Sequence, residues 1–172
     1  VVSPLTSLSA SLGSSGVGDT DAKMRELFDL PEGVDITSYD FVNEAKSGTA
    51  DGKAAFAKAQ QLFSTLNIIS ELTGTDARSG FNDAVTFVGE QLANHTGEFD
   101  LGTTSNITSL LTESDFGSGE TTAAITDDGK SIVDVIAEAV SGANLIIENT
   151  YENADWTNGT AANTLEARAA AS

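Results

Sequence analysis

Side chains able to do covalent or metal chemistry are scarce in this chain, and most of those present are carboxylates. Its 172 residues include one His, one Met, one Trp and no Cys, with 26 Asp and Glu against 8 Lys and Arg, a formal net charge of −18 at pH 7. Triads built on Cys or on a His base need partners that this composition does not supply. Zinc, haem and copper sites lack their usual donors for the same reason. His95 stands in Asn94-His95-Thr96-Gly97, at a predicted helix C-terminus. There the helix dipole favours a polar or positive side chain, so His95 reads as an end cap and not as a ligand or base. Paired carboxylates could hydrolyse a glycoside, but such pairs work in aromatic-lined clefts, and the one Trp and two Tyr fall on predicted helix edges and loops. The stretches Gly13-Ser14-Ser15-Gly16 and Gly117-Ser118-Gly119 have neither the lysine nor the strand context of a phosphate loop, and they read as linkers. The chain is expected not to be an enzyme.

Calcium is the cation an acidic chain would hold most naturally. An EF-hand loop places oxygen donors at positions 1, 3, 5 and 9, Gly at 6 and Glu at 12. Counting from Asp155, Thr157 falls third, Asn163 ninth and Glu166 twelfth, while Gly159 arrives one place early. Asp155, Asn163 and Glu166 are therefore the candidate Ca²⁺ ligands, in an imperfect register. Asp127-Asp128-Gly129 and Asp51-Gly52 fit helix N-caps, where carboxylates meet free N–H groups. Asn94-His95-Thr96, Asn106-Ile107-Thr108 and Asn158-Gly159-Thr160 match the glycosylation sequon and read as chance matches in Asn/Thr-rich sequence.

The charge also selects partners. Nucleic acid requires clustered bases to displace counterions, and the eight here are scattered from Lys23 to Arg168. Anionic membranes repel such a surface, and no apolar run approaches the roughly 20 residues of a membrane span. Neither nucleic-acid binding nor membrane insertion is expected. Excess acid serves solubility first. The absence of Cys excludes a disulfide framework. The opening residues carry no initiator Met and no signal-peptide pattern, so the chain reads as an excised or processed piece of something larger.

The elements that must position these residues follow from apolar spacing. Ser3-Pro4 starts a helix carrying Leu5, Leu8 and Leu12 and ended by Gly13 and Gly16. A second helix is predicted over 21–30, stopped by Pro31 and burying Met24, Leu27 and Phe28. A connector follows with Val34, Ile36 and Tyr39, then a short helix through Phe41, Val42 and Ala45 capped by Ser38 or Asp40, then a turn over 47–52. The clearest helix spans 53–73, with Phe56, Ala59, Phe63, Leu66 and Thr73 or Ile69 on one face and Leu62, Ile69 and Leu72 widening it; Gly74 closes it. Ser79 opens another with Phe81, Ala84, Val85, Val88 and Leu92. Thr104 or Ser105 caps a shorter one with Ile107, Leu110 and Leu111. After a loop over 115–122, a second long helix is predicted from near Asp127 to Tyr151, lined by Ile132, Ile136, Ala139, Val140, Ala143, Ile146 and Ile147. Gly142 inside it suggests close approach of a neighbouring helix. An Ala-rich helix over 160–171, anchored by Leu165, ends the chain. The fold expected is all-α: one helical domain over 1–172, bundle-like, with two or three long core helices and several short ones.

Two phrases carry a family resemblance. Val2-Ser3-Pro4-Leu5-Thr6-Ser7-Leu8 and Phe28-Asp29-Leu30-Pro31-Glu32-Gly33-Val34-Asp35-Ile36-Thr37-Ser38-Tyr39-Asp40, followed by the helix with Ala54, Ala59 and Gln60, resemble a helical segment of large bacterial secreted surface proteins. These are the type I-secreted adhesins with RTX or cadherin repeats. The resemblance covers about the first 70 residues. It implies an extracellular or cell-surface location, a multidomain parent, and a role in attachment or assembly, and it supplies no catalytic residues. The glycine-and-aspartate nonapeptide repeats of the calcium-rich modules are missing here.

The leading expectation is thus a non-enzymatic structural or adhesive module of a bacterial surface protein, whose partners are other domains of that protein or neighbouring subunits. An alternative is a subunit of an extracellular filament or complex, docking through the Ala-rich helix. A further alternative is a carrier of small apolar ligands, held among Phe56, Phe63, Phe81, Phe87 and Ile136.

Overall fold

Seven helices and the turns between them make up the residues that the computed structural model describes, 3–32, 34–72, 77–113 and 129–153. In chain order they are α1 (Pro4–Ser14), α2 (Thr20–Phe28), α3 (Phe41–Lys46), α4 (Ala50–Leu72), α5 (Ala77–Ala93), α6 (Thr104–Glu113) and α7 (Ile132–Glu152), and no strand occurs among the described residues. The all-α expectation holds. No helix of the described residues is long and apolar enough to cross a membrane. The predicted loop over 115–122, the stop at Gly74 and the helix over 160–171 lie outside the described residues.

The short helices form as their caps dictate. Ser3 Oγ accepts from the Thr6 N–H at 3.1 Å, and Thr6 Oγ1 accepts from the Ser3 N–H at 2.7 Å, a reciprocal capping box with Pro4 at the first position. Leu5, Leu8 and Leu12 are then fully buried. Helix α2 starts one residue earlier than expected, capped by Asp19, which accepts from the Ala22 N–H at 2.9 Å, and Asp29 ends it in the left-handed region at φ 48°. In the connector, the Asp35 carboxylate accepts from the Thr37 N–H and hydroxyl at 3.0 and 2.7 Å and from the Ser38 hydroxyl at 2.8 Å. That tight turn sends Val34 and Ile36 into the core. Asp40 caps α3 through the Asn43 N–H at 3.1 Å.

Helix α4 is the hub: α1, α3, α5 and α7 all pack on it, α6 packs on α7, and α1 packs on α2 and α5. It begins at Ala50, three residues before the predicted start, because Thr49 Oγ1 accepts from the Gly52 N–H at 3.1 Å. Gly52 is therefore a buried helical residue and not a turn residue. A Cβ there would lie 2.5 Å from the Glu44 carbonyl, so glycine is what lets α3 fold back onto α4. The buried face also differs from the predicted stripe. Phe63 is 40% exposed, whereas Gln61 and Thr65 are buried with Phe56, Leu62, Leu66 and Ile69.

Helix α7 departs further from expectation. Asp127 lies outside the described residues, and the helix starts at Ile132. Gly129 has φ +82°, and the cap is Ser131, whose Oγ accepts from the Asp134 N–H at 3.1 Å. Its inner face consists of Ala137, Val140, Ser141, Asn144 and Tyr151, while Ala139 and Ile146 from the predicted lining point to solvent. Val140 of the predicted lining is buried and Ile136 and Ile147 pack against the core, but apolar spacing missed Ser141 and Asn144 because those two inner positions are polar. Gly142 does not permit a close approach either, since a Cβ there would meet open space.

The two helical glycines give opposite expectations. Gly142→Ala should stabilise the protein by about 0.5–1 kcal/mol, through the backbone entropy that Ala saves. Gly52→Ala should destabilise it by roughly 1–3 kcal/mol, by forcing α3 away from α4. Chemical denaturation of both variants checks the pair; a loss of stability for Gly142→Ala would show that its environment is not open.

Candidate functional site

Between α4 and α7 lies a cluster of side chains that the apolar pattern did not reveal. Gln61, Asn144 and Thr65 are essentially fully buried. Gln61 Nε2 donates to the Asn144 carbonyl at 2.9 Å. Asn144 Nδ2 donates to Thr65 Oγ1 at 3.0 Å and to the Leu101 carbonyl at 2.9 Å, and Thr65 Oγ1 donates to the Gln61 carbonyl at 2.9 Å. The side-chain oxygens of Gln61 and Asn144 accept no hydrogen bond from the protein. The cluster's cohesion therefore rests on the amide nitrogens and the Thr65 hydroxyl. It is flanked by the Thr104–Ser141 hydroxyl contact at 2.8 Å and by the Lys58–Glu148 ion pair at 3.0 Å. These bonds tie α4, α7 and the turn before α6 into one body. They place no nucleophile beside a base, so their chemistry is positional. Asn144→Ala should cost roughly 2–4 kcal/mol, from the buried Leu101 carbonyl left without its donor and the space vacated. Urea unfolding measures it, and a change below about 0.5 kcal/mol would mean that the cluster is dispensable.

His95 sits just past the end of α5, its N–H bonded to the Leu92 carbonyl at 3.2 Å, in the end-cap position expected of it. Its ring stands edge-on to Phe99 at 5.1 Å, and Nε2 lies 3.4 Å from the Glu98 carbonyl. The positive charge at this helix end comes from Lys23, which donates to the His95 carbonyl. Glu26, paired with Lys23 at 3.4 Å, accepts from the Gly97 N–H at 2.6 Å, and the Phe99 N–H donates to the Leu27 carbonyl at 2.7 Å. Together these bonds clamp the α5–α6 connection onto α2. A cleft of 240 Å³ beside the clamp is bordered by Gln91, His95, Phe99 and Ser109.

The Gly97 N–H, aided by the Lys23 ammonium, holds the Glu26 carboxyl below its ordinary value of 4.5. A depressed carboxyl stabilises the fold fully above that ordinary value and loses its contribution as pH falls through the folded-state value. Glu26→Gln should therefore lower Tm at neutral pH, and the gap to the native protein should close as pH falls below the ordinary glutamate range. Paired thermal melts across pH test this; a gap independent of pH would assign the effect to something other than the carboxylate.

A second depression, of 610 Å³, runs between α1 and α5, lined by Ser7, Ser11, Ser14, Asn82, Thr86 and Glu90 among others. Gly89 lets the two helices meet here, since a Cβ on it would lie 2.2 Å from Ser11 Oγ. The five residues proposed to hold an apolar ligand are divided. The Phe56 ring packs edge-on against Tyr151 at 5.0 Å, and the half-exposed Phe63 lies 6.1 Å from Phe81. The candidate calcium ligands Asp155, Asn163 and Glu166 lie outside the described residues. Among the described residues no group of three or more His, Cys, Asp or Glu could hold a metal ion.

The remaining feature is a surface. Val135, Leu145 and Ile146 on the outer side of α7 are 40%, 45% and 69% exposed, the last being the most exposed large apolar residue described. No residue of this surface stood out in the sequence, where Ile146 passed for core. The structure thus defines an all-α helical domain, with polar side chains tying its core and an apolar outer helix face. The chain matches no family model, no curated protein and no solved structure.

Proposed function

We propose that this chain is a non-enzymatic structural or adhesive module of a bacterial extracellular surface protein, which works by presenting one helical face to a neighbouring domain or subunit. The observation that carries this reading is the outer face of α7. A chain of net charge −18 has ample polar surface, yet it exposes Val135, Leu145 and Ile146 on one helix. Grouped exposed aliphatic residues are a feature of interaction surfaces more than of free ones. The polar side chains buried in the domain support the same reading, because the Gln61–Thr65–Asn144 cluster and the Lys58–Glu148 pair join helices to each other. The resemblance of the first 70 or so residues to secreted adhesins supports the cell-surface location. A subunit of an extracellular filament or complex is the second reading, and the same α7 face favours it; the two differ in whether the neighbour is covalently attached.

The location is tested with an antibody raised against the domain and applied to intact cells that make it. The signal should be present without permeabilisation and should be lost on brief protease treatment that leaves cytoplasmic enzymes intact. Antigen that appears only after lysis would overturn the proposal.

A further inference from the structure

Two hydrogen-bond acceptors at the contact of α4 with α7 receive no donor from the chain. Gln61 Oε1 and Asn144 Oδ1 are both enclosed, on residues that are 0% exposed. The nitrogens of the same amides are fully engaged: Gln61 Nε2 donates to the Asn144 carbonyl, and Asn144 Nδ2 donates to Thr65 Oγ1 and the Leu101 carbonyl. Exchanging oxygen and nitrogen in either amide would set an oxygen against a backbone carbonyl, so these bonds fix which atom is which. An enclosed amide oxygen gives up the hydration it had in the unfolded chain, and buried polar atoms of folded proteins are paired in the large majority. The missing donor therefore comes from outside the chain.

The surroundings restrict what that donor is. The flanking carboxylate, Glu148, is already paired with Lys58 at 3.0 Å, so no free negative charge is at hand to balance a cation. An organic ligand would have to part α4 from α7 to reach two residues with no exposed surface. Water is neutral, small and able to donate twice, and globular proteins hold about one internal water per 27 residues, bonded to groups of this kind. A polar route leads to the site as well. Lys58 and Glu148 lie about a helical turn from Gln61 and Asn144 in sequence, and the Glu148 side chain is 26% exposed. On the other side of Asn144, the buried Ser141 hydroxyl meets that of the half-buried Thr104 at 2.8 Å. Polar side chains thus line the contact from one solvent-exposed edge to the other.

We infer that the contact between α4 and α7 is hydrated, with water held inside it donating to Gln61 Oε1 and to Asn144 Oδ1. The amide nitrogens set the register of the two helices, and the water completes the cluster by satisfying its oxygens. This concerns how the core is held together, and it stands or falls independently of where the domain works and what it adheres to.

Magnetic relaxation dispersion of isotope-labelled water oxygen counts internal waters that exchange slowly with bulk, and the full chain is suited to it. Gln61→Met fills a similar volume without an amide oxygen. Its dispersion amplitude should fall below that of the native chain by the equivalent of at least one water. Ser14→Ala, on the exposed surface of α1, should leave the amplitude unchanged. Thermal melts confirm that each variant is folded. An equal amplitude in native and folded Gln61→Met protein would overturn the proposal. A high-resolution crystal structure of the native chain gives a second reading that needs no variant. Water density should stand at roughly 2.7–3.2 Å from each of the two oxygens. Either oxygen without such density, or a peak with the several short oxygen contacts of a metal ion, would overturn it.

Discussion

The contact between α4 and α7 organises the described structure, and it is held by amide groups as well as by aliphatic packing. Gln61 on α4 reaches the backbone of α7, and Asn144 on α7 reaches both α4 and the Leu101 carbonyl ahead of α6. Three segments distant in sequence are thereby set at one depth and one rotation. Aliphatic side chains alone tolerate sliding and rotation, because dispersion and the hydrophobic effect have little directional preference. Hydrogen bonds from buried amides do not, since a shifted register would leave the same donors unpaired at a cost comparable to the bond itself.

That constraint explains why α7 has an apolar outer face. With Ser141 and Asn144 turned inward to meet Thr104, Thr65 and Leu101, Val135, Ala139 and Ile146 are left on the outer side. The rotation that satisfies the buried amides is the same one that exposes Ile146. The exposed aliphatic side chains are therefore a geometric consequence of the polar core.

The short helices show how much can be read locally. Ser3-Pro4, Asp40 and the Leu5, Leu8, Leu12 spacing were legible because a cap and an amphipathic stripe are properties of neighbouring residues. Other caps that are equally local, Thr49 for α4 and Ser131 for α7, were missed. Gly52 looked like a turn, and only the position of the Glu44 carbonyl shows why a residue without Cβ belongs inside α4. Ile146 looked like core and Asn144 did not, because apolar periodicity assigns faces by side-chain type and cannot see a hydrogen-bond partner contributed from more than forty residues away in sequence. The clamp of Lys23 and Glu26 on the α5–α6 connection was invisible for the same reason: its partners are backbone groups at His95 and Gly97, which any sequence supplies.

By itself the amino-acid sequence determined the all-helical architecture, the strong negative charge and the scarcity of Cys and His chemistry, since these depend on composition and on spacing within a few turns. The tertiary structure decided which side of α7 is buried and which of its aliphatic residues face outward. Two faces of one helix can be similarly apolar, and the choice between them falls to the directional bonds that Asn144 and Gln61 make across the core.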